Sequence, residues 1–455
     1  ASDGAGGAFI AWSDGRAGAG SLDIYIQHLS EGGLPIWIPD GSLVCNAAMQ
    51  QQGGCVMADG AGGAFLVWVD GRALGFDIYA ERMTHYGANS WDFNGIPVAN
   101  SPSSNEYSPS VIGDGNGGII VTWLDGRVSP SESDIYAQRL DGLGNALWDY
   151  GGVPVCTYGQ HLGVPALVSD GAGGVVAVWE DYRSAPDLSD IYAQRLAADG
   201  NMLWDENGVA VSTQAATQED CVAISDGRGG IVAAWRLGSG EDSEGDVYAQ
   251  RLERNGYLGF PSPEITQVED YPQDQGGVAV VSWWPSYLDQ YPHEIVTGYS
   301  VWRRMLGAPP ARATVNPEVL GAEVGLPREV VDGLLRSGWS YVGGVDASYW
   351  WEYGYDSPTY CDSTASGGCL TEYMVVAQTA DQWVFWESHP AWGYSVDNLA
   401  PGAPLALSAE VVASNVELEW SPAGWHDDDL SHYNVYRSGL SGFIPGPGTL
   451  VGTAS

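Results

Sequence analysis

Asp114-Gly-Asn-Gly-Gly-Ile-Ile-Val-Thr-Trp123, then Asp134-Ile-Tyr-Ala-Gln-Arg-Leu140, then Gly144-Asn-Ala-Leu-Trp148 form one pattern that this 455-residue chain repeats five times. The copies open at Asp3, Asp59, Asp114, Asp170 and Asp226, a period of 55 or 56 residues. Nine residues after each opening Asp stands a Trp: Trp12, Trp68, Trp123, Trp179 and Trp235. Fourteen residues after the Asp of the Asp-Ile-Tyr triplet (Asp-Val-Tyr in the fifth copy) comes a second large aromatic: Trp37, Trp91, Trp148, Trp204 and Phe260. Between the two halves the spacing varies: the triplet's Asp follows the first Trp by nine positions in the second copy and by eleven in the others. A fixed period of this size marks stacked supersecondary units, none of which buries its apolar face alone.

The third copy shows what one unit builds. Residues 108–112 read as a first strand and Asp114-Gly-Asn-Gly-Gly118 as its hairpin, where glycine supplies positive φ without steric conflict. Ile119-Ile-Val-Thr-Trp123 is a second strand, rich in the β-branched and aromatic side chains that suit a half-buried pleated surface. Residues 134–140 alternate as a third, with Ile135, Ala137 and Arg139 on one face. Gly144 turns the chain into a fourth strand ending near Val153-Pro-Val155. No segment of this region has apolar residues at helical spacing. Four antiparallel strands per unit predict an all-β fold: a β-propeller of about five four-stranded blades across residues 1–260, closed or nearly closed into a ring.

Trp-x-Asp-x-Arg recurs as Trp12-Asp14-Arg16, Trp68-Asp70-Arg72, Trp123-Asp125-Arg127 and Trp179-Asp181-Arg183. Arg offers a fork for anions and Trp a face for sugars, but a single ligand needs one copy. Four copies favour an intra-blade clip, and the fifth unit drops it (Trp235-Arg236-Leu237-Gly238). The Asp-Gly-x-Gly-Gly turn resembles the Asp-box hairpin of sialidase-type propellers. That resemblance implies fold alone, because the Asp-box is structural there. Sialidase chemistry would need arginines in non-repeating places, whereas Arg139, Arg195 and Arg251 are equivalent.

The repeat stops near Pro261. Val278-Ala-Val-Val-Ser-Trp-Trp284, Tyr299-Ser-Val-Trp-Arg303 and Thr371-Glu-Tyr-Met-Val-Val-Ala377 resemble strands B, C and F of a fibronectin type III module, with Tyr373 placed for a tyrosine corner. The B–C pair returns as Val416-Glu-Leu-Glu-Trp420 and Tyr433-Asn-Val-Tyr-Arg437. Expected domains are therefore 1–260, then 261–398 with an insertion at about 305–338, then an incomplete second module at 399–455. Within the insertion, Pro327 and Gly338 bracket a short helix over 327–336. Propeller repeats followed by such modules resemble secreted bacterial surface proteins, which implies a cell-surface or extracellular location.

The net charge is −40, and all seventeen basic residues are arginine. So acidic a surface repels nucleic acid and anionic lipid, so neither nucleic-acid binding nor membrane insertion is expected. Six cysteines are present. Cys361 with Cys369 and Cys45 with Cys55 have spacings that permit local disulfides, while Cys156 and Cys221 could bridge adjacent blades or stay buried thiols. His426-Asp-Asp-Asp429 is the densest set of potential metal ligands, but no second carboxylate group stands at ligand spacing. No His-Glu-x-x-His, Gly-x-Ser-x-Gly or phosphate loop occurs, and nothing marks a catalytic carboxylate pair. No catalytic residue, cofactor or metal is assigned.

These features lead to an expectation of a non-enzymatic extracellular structural or adhesive protein. The incomplete first and last units would let it self-associate through strand edges, as the subunit of a surface filament. The alternatives are a propeller binding glycans through aromatics at the blade mouths, or a hydrolase of polysaccharide.

Overall fold

Each repeat becomes one antiparallel sheet in the computed structural model, which describes all residues except 17, 19–20, 74, 100–104, 129–131, 159–161, 239–244, 273, 275, 306–315, 364–367, 397–403, 414, 422–431, 441–443 and 455. The third blade has the strands Glu106–Gly113, Ile119–Asp125, Asp134–Leu140 and Val153–Cys156, hydrogen-bonded in that order. The second and fourth blades match it. The first (Ala8–Asp14, Asp23–Leu29, Ser42–Cys45) and the fifth (Gln218–Ser225, Ile231–Leu237, Asp246–Leu252) have three strands each. The blades pack in chain order, from each first strand to the next. Among the described residues the sheets are open, and the fold is all-β of propeller type.

Two devices recur, the first in all five blades and the second in blades one to four. The opening Asp holds its own hairpin: Asp114 Oδ1 accepts from the backbone N–H of Asn116 and Gly118, both at 2.8 Å. Its other oxygen takes Arg139 from the third strand (Nη2, 2.8 Å), and the turn amides together with that guanidinium hold the carboxyl below its usual range against the opposing effect of burial. The second device is the clip. Trp123 Nε1 donates to Asp125 Oδ2 at 2.8 Å, Arg127 binds the same oxygen at 2.5 Å, and its guanidinium sits 3.7 Å from the Tyr136 ring centre. Trp68, Trp123 and Trp179 are wholly buried between blades. A Cβ on Gly152 (φ +85°) would fall 2.4 Å from the Trp123 ring, so only glycine lets that ring seat. In the fifth blade the clip is missing, and the Trp235 indole N–H is buried without an acceptor.

The unit Pro261–Ser455 is built differently. Glu264–Asp270, Val278–Trp284 and Tyr353–Pro358 form a three-stranded sheet. A larger one runs Ser340–Asp346, Val296–Met305, Thr371–Thr379, Phe385–Glu387, with Ala391–Gly393 also pairing to Thr371–Thr379. Two helices, Pro317–Val324 and Arg328–Arg336, cover the larger sheet, burying Leu320, Val324, Leu326 and Val331 with Trp302 and Val376. The second of these matches the helix expected at 327–336. Tyr373 is buried, but its hydroxyl faces the Ser357 and Thr371 side chains rather than a backbone carbonyl, so no tyrosine corner is built. Further on, Leu405–Val412 pairs with Asn415–Ser421, and Tyr433–Tyr436 with Leu450–Ala454, as two separate ribbons.

Candidate active site

The second unit encloses a cleft of about 470 Å³ between the helix Pro317–Val324 and the larger sheet. That helix starts where the Asn316 side chain accepts from Glu318 N–H (3.0 Å) and stops at Gly325, whose φ of 65° is a left-handed cap. Leu320 and Val324 anchor one face in the core, and Glu323 is left to line the cleft. Opposite it, Asp346 ends the strand Ser340–Asp346, in register with Gly298. Gly298, Gly325 and Gly344 line the cleft without side chains to fill it. On its floor Ser300 Oγ accepts from Gln378 Nε2 (2.6 Å) and from Trp302 Nε1 (2.9 Å). Burial, then the nearby charge of Glu323, pushes the Tyr341 hydroxyl up, so it stays a neutral hydrogen-bond donor. Two carboxyl groups, a phenol and an amide thus share one pocket of small-molecule size.

A run of exposed aromatics follows Asp346 in the chain. Tyr349 stands three positions after Asp346, a reach of at most about 10 Å. Ala347 N–H donates to the carbonyl of Thr297, itself part of the cleft wall (3.1 Å). Tyr349, Trp350 and Trp351 are 55%, 60% and 84% exposed, and Trp284 at the end of the neighbouring strand is 55% exposed. An aromatic run so open to water is unusual, since burying one such side chain stabilises by about 2–3 kcal/mol. The loop is nevertheless held. Tyr353 Oη accepts from Ser348 N–H (2.7 Å) and donates to Asp289 Oδ2 (2.7 Å), which also takes the hydroxyl of Tyr299 (3.0 Å). Trp283 stacks on Tyr353 at 5.7 Å, and Trp350 packs on it at 5.8 Å. Tyr349 has φ 58°, a left-handed conformation that a bulky residue adopts only under such constraint.

The expected site residues separate into three groups. Cys361 and Cys369 form a disulfide. Cys45 and Cys55 do not pair: Cys45 closes the outer strand of blade one with its sulfur 3.8 Å from Asp70 Oδ2, while Cys55 lies on the inner strand of blade two and donates to Pro109 O at 3.0 Å. The two sit on different sheets, at opposite edges of the joint. Cys156 and Cys221 are also free thiols, and burial pushes Cys45, Cys156 and Cys221 up to about 12. His426–Asp429 lies outside the described residues, and among the described residues no three metal-ligating side chains gather. Trp68, Trp123, Trp179 and Trp235 are no sugar platform, because they are buried in the joints.

One carboxyl pair stands out within the blades. Asp77 hydrogen-bonds Glu106 where equivalent joints carry Gln51 and Gln218, and burial followed by nearby Asp70 raises the Asp77 carboxyl. Carboxyls in hydrogen-bond contact are closer than the roughly 5 Å that glycoside hydrolysis needs. Glu106 is fully buried and Asp77 is 5% exposed, so this pair is an internal joint. Glu323 and Asp346 escaped the sequence reading because neither sits in a repeat. A signal was present: Asn316-Pro317 and Gly325 bracket a helix, and Asp346 shortly precedes Tyr349-Trp-Trp351.

No protein-family model matches the chain, and no curated protein matches it. Among solved structures, an ulvan lyase of polysaccharide lyase family 25 shares 12% identity over 62% of this chain and 78% of its own, with a TM-score of 0.38. An α-L-arabinanase of Penicillium chrysogenum shares 13% over 61% and 85%, with a TM-score of 0.31. A GH32 β-fructofuranosidase of Bombyx mori shares 11% over 86% and 84%, with a TM-score of 0.30. These are folds of β-propeller type, and the likeness at such identity is one of fold. These three are carbohydrate-active enzymes, and against them the expectation of a non-enzymatic structural or adhesive protein and filament subunit is withdrawn, while the likeness itself assigns this chain no activity.

Proposed function

We propose that this chain is a carbohydrate-active protein that grips neutral polysaccharide on Tyr349, Trp350 and Trp351 and cleaves it in the adjoining cleft. The exposed aromatic run three to five positions beyond Asp346, which with Glu323 lines the cleft, is the observation that carries this reading. Aromatic faces stack on the C–H faces of sugar rings, and Gln378, Ser300 and Tyr341 supply donors and acceptors for hydroxyls. Glu323 and Asp346 are the acid–base pair: one protonates the leaving glycosidic oxygen, and the other activates a water that adds to the anomeric carbon. A net charge of −40 disfavours sulfated or uronic chains, so the substrate is uncharged. The two sheets of the second unit are read as a fibronectin type III-like sandwich, with Glu323 on its insertion and Asp346 and the aromatic run just beyond it. The Cys361–Cys369 disulfide supports an extracellular setting, and no helix among the described residues is long and apolar enough to cross a membrane.

The test is a panel of neutral polysaccharides, arabinan among them, set against anionic ulvan. Retardation in affinity gels and release of reducing ends are measured together. Retention on a neutral glycan with new reducing ends is the expected result. Absence of retention on every neutral member would sink the proposal.

A further inference from the structure

The aromatic run 349–351 is wound around a single oxygen. Tyr353 Oη accepts from the backbone N–H of Ser348 (2.7 Å) and from that of Trp350, so the amides on either side of Tyr349 converge on it. Tyr349 itself is left-handed at φ 58°, a bend that turns neighbouring amides toward one acceptor. The same phenol donates to Asp289 Oδ2 (2.7 Å). Tyr299, whose oxygen accepts from Ser286 N–H (3.1 Å), donates to that carboxyl oxygen as well (3.0 Å). Asp289 is fully buried, and its Oδ1 finds no partner among the described residues. An acceptor left so in the interior costs about 1–3 kcal/mol. The carboxyl is therefore kept against stability, for what its other oxygen orients.

The three rings of the run are held unequally. Trp350 packs on Tyr353 (centroids 5.8 Å apart, planes 30° apart), and Tyr353 stacks on the fully buried Trp283 (5.7 Å, 12°). Trp350 is still 60% exposed, so this backing leaves much of its ring open to water. Trp351, at 84%, and Tyr349 have no ring partner among the described residues. A ring fixed before its ligand arrives gives up less conformational freedom on binding than one that must first be ordered.

We infer that Trp350 is the ring on which a neutral sugar stacks, and that Asp289 is the positioning residue that keeps it there through Tyr353. The inference rests on the polysaccharide reading and singles out one of its three aromatics. Asp289, being buried, acts on the sugar only through the Tyr353 hydroxyl and the two amides that this hydroxyl gathers. The open part of the Trp350 ring supplies the apolar surface that the C–H face of a sugar covers.

The experiment is affinity electrophoresis of the full chain on neutral polysaccharides, with hydrogen exchange of residues 347–352 followed alongside. Trp350→Ala is expected to weaken retention at least about thirtyfold, more than Trp351→Ala does, as loss of a hot-spot tryptophan would. Tyr353→Phe keeps the ring stack and deletes only the oxygen. It should weaken retention at least about tenfold, act on KM rather than kcat, and speed exchange of the Ser348 and Trp350 amides. Asp289→Asn keeps an acceptor and should stay near native, whereas Asp289→Leu should match Tyr353→Phe. Circular dichroism checks folding, and where Asp289→Leu does not fold the Tyr353 variant decides. Adding Tyr353→Phe to Trp350→Ala should weaken retention no further, because Tyr353 acts through Trp350. Retention of no neutral glycan by the native chain would end the polysaccharide reading and this inference together. Native retention equalled by the Trp350 variant, additive losses in the double variant, or unchanged exchange in Tyr353→Phe would overturn the inference alone.

Discussion

The two units of this chain answer opposite demands. In Ala1–Phe260 the residues that look most chemical, Trp, Asp and Arg in fixed spacing, are spent on holding blades to themselves and to each other. In Pro261–Ser455 similar residue types are left uncommitted: Glu323 and Asp346 face a cleft, and Trp350 and Trp351 face water. The difference teaches that repetition is a structural signature. A joint must be built at each blade, whereas a substrate needs one site, so the candidates for function are residues that the repeat does not contain.

Exchanging single groups tests that contrast. The largest effect is expected from Glu323→Gln and Asp346→Asn, each lowering polysaccharide turnover by about 10²–10⁴-fold with the melting temperature unchanged. Asp77→Asn, in a buried blade joint, should leave turnover intact, and equal losses from both units would erase the contrast.

Trp123→Ala comes next. It removes a fully buried ring from between two blades and should lower unfolding free energy by about 3–5 kcal/mol in urea. Trp351→Ala, 84% exposed, should leave the urea midpoint where it is.

Reduction of Cys361–Cys369 opens an eight-residue separation, for which loop entropy predicts a loss of roughly 2.5 kcal/mol, confined to unfolding of the second unit. The buried thiols of the blades should resist alkylation at pH 8 until denaturant is added, since burial holds Cys45 and Cys156 near 12. Rapid labelling in the native state would contradict their placement.

Acid separates the units through the blade turns. Asp59 and Asp114 are depressed by their turn amides and by Arg82 and Arg139. A carboxyl lowered in the folded state contributes stability that is complete above its unfolded value near 3.8 and lost as pH falls through the depressed one. Thermal unfolding of the blade array should therefore be level above about pH 4 and fall steadily below it. Asp114→Asn should flatten that fall. The smallest effect belongs to Trp351→Ala in binding, a loss of about 1–2 kcal/mol of glycan affinity.

Blade architecture was legible because periodic spacing survives any tertiary detail. Nine residues from Asp to Trp leave room for one hairpin and one strand, and the structure uses them so, with Ile119–Asp125 following the Asp114 turn. The clip was legible for the same reason, being local. Pairing of Cys45 with Cys55 was misread because ten residues of sequence hide a change of sheet, from the outer strand of one blade to the inner strand of the next. Glu323 and Asp346 were invisible as a pair, because 23 residues and a helix–strand crossover separate them.

By itself, then, the sequence determined the repeat unit, its strand order and the hairpin chemistry of its aspartates, because each depends on neighbours within a few residues. Tertiary structure alone decided which aromatics are buried in joints and which stand in water, and that two distant carboxyls line one cleft. Those outcomes depend on which surfaces meet, and burial and proximity between distant segments are properties of the packed chain rather than of local spacing.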